Sequence, residues 1–110
     1  YISDAIVIGD QRKYLTALIL IDQENVEKFA QQKRIQYSDF SSLCYALEVK
    51  KLIAGEVDLV NLKLARVEQV KKFRLIDMLL TAEDDEMTAT MKLRRSYCET
   101  KYEDLINSMY

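Results

Sequence analysis

Histidine is absent from this chain of 110 residues, and so is proline. Without histidine the commonest general base and the commonest metal ligand are both missing. Glycine occurs only at Gly9 and Gly55, too far apart to build a loop that cradles phosphates with its backbone. Cysteine also occurs twice, at Cys44 and Cys98. Neither belongs to a Cys-x-x-Cys pair and neither has a histidine nearby. A disulfide framework or a zinc site is therefore disfavoured, and free thiols in a reducing compartment, the cytoplasm, fit better. No apolar run approaches the ~20 residues that cross a bilayer, and no secretory leader is expected. The formal net charge of −2 gives no general attraction to nucleic acid or to anionic lipid.

Apolar and charged residues are plentiful. Hydrophobic residues make up 49% of the chain and charged residues 31%, enough for a modest core under a surface of mixed sign. The length suits a single domain over residues 1–110. The chain opens at Tyr1-Ile2-Ser3-Asp4 directly on an apolar strand, so we expect a piece of a longer protein. Ala5-Ile6-Val7-Ile8, stopped by Gly9-Asp10, predicts a buried strand within Ile2 to Asp10. Tyr14 to Ile21 predicts a second. The link between them is too short for a parallel return, so they should pair antiparallel. Asp10, Arg12 and Lys13 in that link read as a solvated turn, with contact to a partner domain as the alternative.

Asp22 predicts the N-cap of a helix from Gln23 to about Lys33, with Val26, Phe29 and Ala30 facing in. Ser38 predicts the cap of a short helical piece from Asp39 to Tyr45, with Phe40 and Leu43 facing in. The strongest periodicity runs from Leu47 to about Gln69, where Val49, Leu52, Ile53, Val57, Val60, Leu64 and Val67 recur at helical spacing. Such a helix would be about 30 Å long. Gly55 inside it costs about 1 kcal/mol relative to alanine unless close packing requires it. Phe73 and Leu75 then alternate with Lys72 and Arg74, which predicts a half-buried strand, with Met78 to Leu80 continuing extended. The basic side of that strand suits phosphates, although no aromatics are interleaved as in RNA readers.

Glu83-Asp84-Asp85-Glu86 makes an acidic turn within Thr81 to Met87. Adjacent acids on a turn rarely converge on one Mg²⁺ without further ligands, so no metal site is assigned. From Leu93 to Tyr110 the period is helical again, with Tyr97, Cys98, Tyr102, Leu105, Ile106 and Met109 inward. The fold class expected is α+β: a small mixed sheet of about three main strands flanked by helices.

Between the acidic turn and the last helical pattern lies Thr88-Ala89-Thr90-Met91-Lys92-Leu93-Arg94-Arg95. One lysine ends an extended segment, and two arginines follow at a helix start, where the dipole disfavours positive charge. A local conflict of that kind is expected where a site outranks stability. The plain alternative is a solvated basic turn.

Thr88-x-Thr90-x-Lys92-Leu93-Arg94-Arg95 resembles the C-terminal motif of the adenylate-forming enzymes, in the form seen in long-chain fatty acid–CoA ligases. Ala89 stands where proline is common in that family, and Met91 where glycine is common. Asp84-Asp85 stands where Asn-Gly is frequent. The strand pair Ser3 to Ile19 is similar to the opening of the same domain. So are Glu56-Val57-Asp58-x-Val60-Asn61-x-x-Leu64-Ala65 and Lys101-Tyr102-x-Asp104-Leu105-Ile106 to its later parts.

The resemblance implies the mobile C-terminal domain of such a ligase, with its own N-terminal AMP-binding domain as partner. Lys92 would be the catalytic lysine of acyl-adenylate formation, after which the domain rotates for thioester formation. Thr88 and Thr90 would shape the loop near ATP, and Arg94 and Arg95 would contact the larger domain. ATP, Mg²⁺, coenzyme A and a long-chain fatty acid belong to the full-length enzyme. This piece alone is expected to bind none of them and to be inactive, and peripheral membrane contact of the parent stays open. The alternative is a non-catalytic protein-interaction module of α+β fold, using the long helix or the basic strand. An RNA-binding reading would require strongly salt-dependent affinity.

Overall fold

The computed structural model describes residues 1–9, 12–81, 83–90 and 92–110. The readings of Asp10 in the first turn, Ala82 in the acidic turn and Met91 in the motif lie outside the described residues, as does Gln11. Strands β1 (Ile2–Ile8) and β2 (Leu15–Ile21) form the expected antiparallel pair. Strand β3 (Val70–Leu75) adds to β2 in parallel, giving a mixed sheet of order β1-β2-β3. A parallel return needs a crossover. It is supplied by α1 (Gln23–Gln32), α2 (Phe40–Tyr45) and α3 (Leu47–Asn61). After β3 the chain passes through the acidic turn and the motif into α4 (Arg95–Lys101) and α5 (Glu103–Asn107).

The two-residue alternation of β2 sets the layers. Leu18 and Leu20, with Ile6 and Ile8 of β1, meet Met87, Cys98, Ile106 and Met109 on one side. Ala17, Ile19 and Ile21 meet Val26, Ala30, Leu43, Val49 and Ile53 on the other. A strand covered on both faces must be apolar nearly throughout, and Ala17 to Ile21 is. Thr16 is buried too, but its hydroxyl lies 2.9 Å from that of Tyr110 and so is satisfied.

Helix α1 is capped as predicted, with the Asp22 carboxylate accepting the Asn25 N–H at 3.2 Å. It ends where Arg34 turns left-handed (φ 56°) and the Ile35 N–H returns to the Ala30 carbonyl at 2.8 Å.

Four local expectations are corrected. Helix α2 is capped by Asp39, not Ser38. The Asp39 carboxylate accepts the Ser42 N–H at 2.8 Å, and the Ser42 hydroxyl accepts the Asp39 N–H at 3.0 Å, a reciprocal box. Helix α3 stops at Asn61 instead of running to Gln69, so its 15 residues span about 22 Å. The Asn61 side chain bonds both the N–H and the carbonyl of Val70, at 2.9 and 2.8 Å, and this fixes the return of the chain to β3. Val60 and Val67, assigned inward by periodicity, are exposed. Strand β3 ends at Leu75; Ile76 donates its N–H to Ile19 at 2.8 Å and is buried, and Met78 and Leu79 then emerge into solvent. The last helical pattern is two helices broken at Tyr102, and Tyr97 faces water.

Candidate functional site

Met87 and Leu93 form an antiparallel bridge that closes a tight loop. Thr88 makes the closure. Its N–H donates to the Lys92 carbonyl at 2.7 Å, and its hydroxyl accepts the Lys92 N–H at 3.1 Å. The hydroxyls of Thr88 and Thr90 lie 3.1 Å apart. Both backbone polar atoms of Lys92 are thus held, while its side chain is exposed. The ion pairs among the described residues use Lys28, Arg95 and Lys101. Among those residues, no carboxylate neutralises the Lys92 ammonium.

The loop stands on a buried stem. Met87 is 1% exposed and Glu86 3%. The Leu93 N–H donates to the Asp4 carboxylate of β1 at 2.8 Å, which ties the motif to the first strand. The Arg94 N–H donates to the Glu86 carbonyl at 2.7 Å, and its Nε donates to the Met87 carbonyl at 2.9 Å. Arg95 pairs with Glu99 one turn along its own helix at 3.1 Å, an exposed contact of small energetic weight. Both arginines therefore have partners within the chain while remaining exposed.

Glu86 is the residue that sequence reasoning missed. It was one of four adjacent acids in a turn, yet it is the acid that enters the interior. Its carboxylate accepts from Lys101 Nζ at 2.9 Å and from the Tyr102 hydroxyl at 3.2 Å. Burial, together with the Glu86 charge, raises the Tyr102 phenol well above its ordinary value. The hydrogen bond to Glu86 likewise raises Lys101. A signal was present: an apolar residue, Met87, follows the acids directly, so the turn must end by entering the core. The partners were not visible, because Lys101 and Tyr102 lie in another element.

Of the other acids, Asp84 caps the turn. The Asp84 carboxylate accepts the Thr81 N–H at 2.6 Å and the Thr81 hydroxyl at 3.2 Å. Among the described residues no group of three or more potential ligands is placed to hold a metal ion.

The family model described as AMP-binding enzyme C-terminal domain matches residues 1–110. The chain is 40% identical over 103 residues to a provisionally named fatty-acid–CoA ligase of Mycobacterium tuberculosis, fadD11, covering 94% of this chain and 18% of that protein. It is 30% identical over 110 residues to the long-chain-fatty-acid–CoA ligase FadD15 of the same species, covering 99% and 18%. It is 26% identical over 113 residues to long chain acyl-CoA synthetase 8 of Arabidopsis thaliana, covering 100% and 16%. The chain thus spans less than a fifth of the length of these curated relatives.

Two solved structures share the fold. The adenylation domain of a carboxylate reductase from Mycobacterium chelonae superposes with a TM-score of 0.68 at 20% identity, over 99% of this chain and 15% of that one. The A-PCP didomain of a carboxylic acid reductase from Segniliparus rugosus, in complex with AMP, gives 0.57 at 22% identity, over 99% and 14%.

Proposed function

The chain belongs to the AMP-binding enzyme C-terminal domain family, and from that premise we propose that it is the mobile C-terminal domain of an ATP-dependent, AMP-forming long-chain fatty acid–CoA ligase. Lys92 supplies the cation of the adenylation step. The observation that carries this reading is an exposed ammonium that forms no ion pair among the described residues, on a loop whose backbone is pinned by Thr88 and whose stem is buried. A fatty acid carboxylate attacking the α-phosphate of ATP meets a polyanion. Two unit charges ~4 Å apart interact by about 4 kcal/mol at an effective dielectric of 20, so one placed lysine offsets much of that repulsion.

Thr88 and Thr90 set the loop, and exposed Arg94 and Arg95 stand at its base, where the N-terminal AMP-binding domain would meet it. Magnesium, ATP and coenzyme A would be held mainly by that larger domain. Rotation of the domain after adenylation withdraws Lys92 and admits coenzyme A, a gating motion. Two buried free thiols support a reducing compartment such as the cytoplasm. No helix among the described residues is long and apolar enough to cross a membrane.

The test is Lys92→Ala in the ligase that carries this chain. Fatty-acid-dependent ATP–pyrophosphate exchange should fall by about a hundredfold or more. Thioester formation from supplied acyl-adenylate should be largely retained. Equal loss of both half-reactions would remove Lys92 from the adenylation step.

A further inference from the structure

A second concentration of positive charge lies at the opposite edge of the sheet from the Lys92 loop. That loop is tied to β1 through Asp4, and β3 forms the other edge. Along β3 a cavity of about 360 Å³ is lined by Lys71, Lys72 and Arg74 of the strand, Lys50 of α3, and the rings of Tyr45 and Phe73. No described residue lining it is acidic, although the chain carries 18 acids against 16 lysines and arginines. None of the four cations takes part in an ion pair among the described residues.

Two of the cations are positioned by rings, which hold an ammonium without neutralising it. Lys50 Nζ stands 5.2 Å from the centre of the Tyr45 ring, and Lys72 Nζ stands 5.8 Å from that of Tyr14. The Tyr45 hydroxyl donates to Asp77 at 2.9 Å and so engages that carboxylate. Leu15 pairs with Val70 but Thr16 with Lys72, so Lys71 is an extra residue on β3. A bulge of this kind re-aims side chains at an edge.

We propose that this cavity is a binding site for an organic phosphate, with the phosphoryl groups held by Lys50, Lys71, Lys72 and Arg74 and a ring or apolar portion resting on Tyr45 and Phe73. The volume is within the range of small-ligand sites, about 300–1,000 Å³. The competing explanation is edge protection, since lysines on an exposed edge strand block pairing with other chains. Edge protection explains Lys71 and Lys72. It does not explain why Lys50 on a separate helix converges on the same concavity, or why aromatic rings line it. The site is independent of the role of Lys92.

The experiment is calorimetric and NMR titration of the chain with inorganic pyrophosphate and with ADP, beside vesicles of phosphatidylserine and phosphatidylcholine. Saturable single-site binding is expected, with amide shifts centred on β3 and affinity falling as salt rises. Lys72→Glu with Arg74→Glu should weaken it by about tenfold or more, with the circular dichroism spectrum unchanged. Tyr45→Ala should abolish any preference for ADP over pyrophosphate. Lys92→Ala should leave binding unchanged. Absence of saturation would overturn the proposal, as would affinity indifferent to charge reversal or shifts centred on the Lys92 loop. Binding to vesicles alone would make the edge a membrane surface. Charge-reversed chains that merely self-associate would make it edge protection.

Discussion

At the scale of single residues, the motif depends on an acid outside it. Glu86 is buried because Lys101 and Tyr102 satisfy its carboxylate, and its carbonyl accepts from Arg94 at the base of the loop. The four acids of the turn are chemically alike, yet one lies in the core and another, Asp84, caps Thr81. Tyr102→Phe deletes the hydroxyl that donates to Glu86 at 3.2 Å and leaves the ring in place. Unfolding free energy, measured by urea denaturation, should drop by about 1.5–3 kcal/mol, the usual weight of a hydrogen bond to a charged acceptor. An unchanged midpoint would mean that Lys101 alone holds the acid.

At the scale of elements, helical periodicity persisted past the true end of a helix. Leu64 and Val67 continue the spacing of Val49 and Ile53, but the chain turns at Asn61, whose amide takes both polar atoms of Val70. A side chain bonding to backbone nine residues on is outside what a periodic pattern registers. Gly55 gives the element-scale prediction. A methyl group built at that position meets nothing within 4 Å, so no close packing requires glycine inside α3. Gly55→Ala should therefore stabilise the chain by about 0.5–1 kcal/mol, chiefly by restricting the unfolded state. The readout is an upward shift of the thermal midpoint; a downward shift would reveal a packing role for the glycine.

At the scale of the whole molecule, the shifted groups point one way. Burial pushes the Cys44 thiol from 9.0 up to about 12, with Asp77 adding to it. Cys98, Tyr45, Tyr102 and Lys101 are also raised. Each holds its proton more tightly when folded. As pH passes the ordinary thiol value of 9.0, the unfolded chain releases protons that the folded chain keeps. The stability these groups contribute is complete below that point and is lost as pH climbs toward their folded values. Urea midpoints should be level from roughly pH 7 to 8.5 and decline above roughly pH 9. Cys44→Ala should flatten part of the decline, whatever it does to stability at neutral pH. An alkaline limb as steep in that variant would exclude the buried thiol as a source.

Sequence by itself determined the α+β class, the antiparallel opening pair and the Asp22 cap. These follow from alternation, helical spacing and turn chemistry, which neighbouring residues settle among themselves. Only the tertiary structure decided that Glu86 is interior, that Asp4 anchors the motif loop, and that Lys50 joins Lys71, Lys72 and Arg74 at one edge. Those placements depend on charges and hydrogen-bonding groups meeting across long stretches of chain. Such meetings are set by how the sheet is ordered and covered, and no local pattern encodes them.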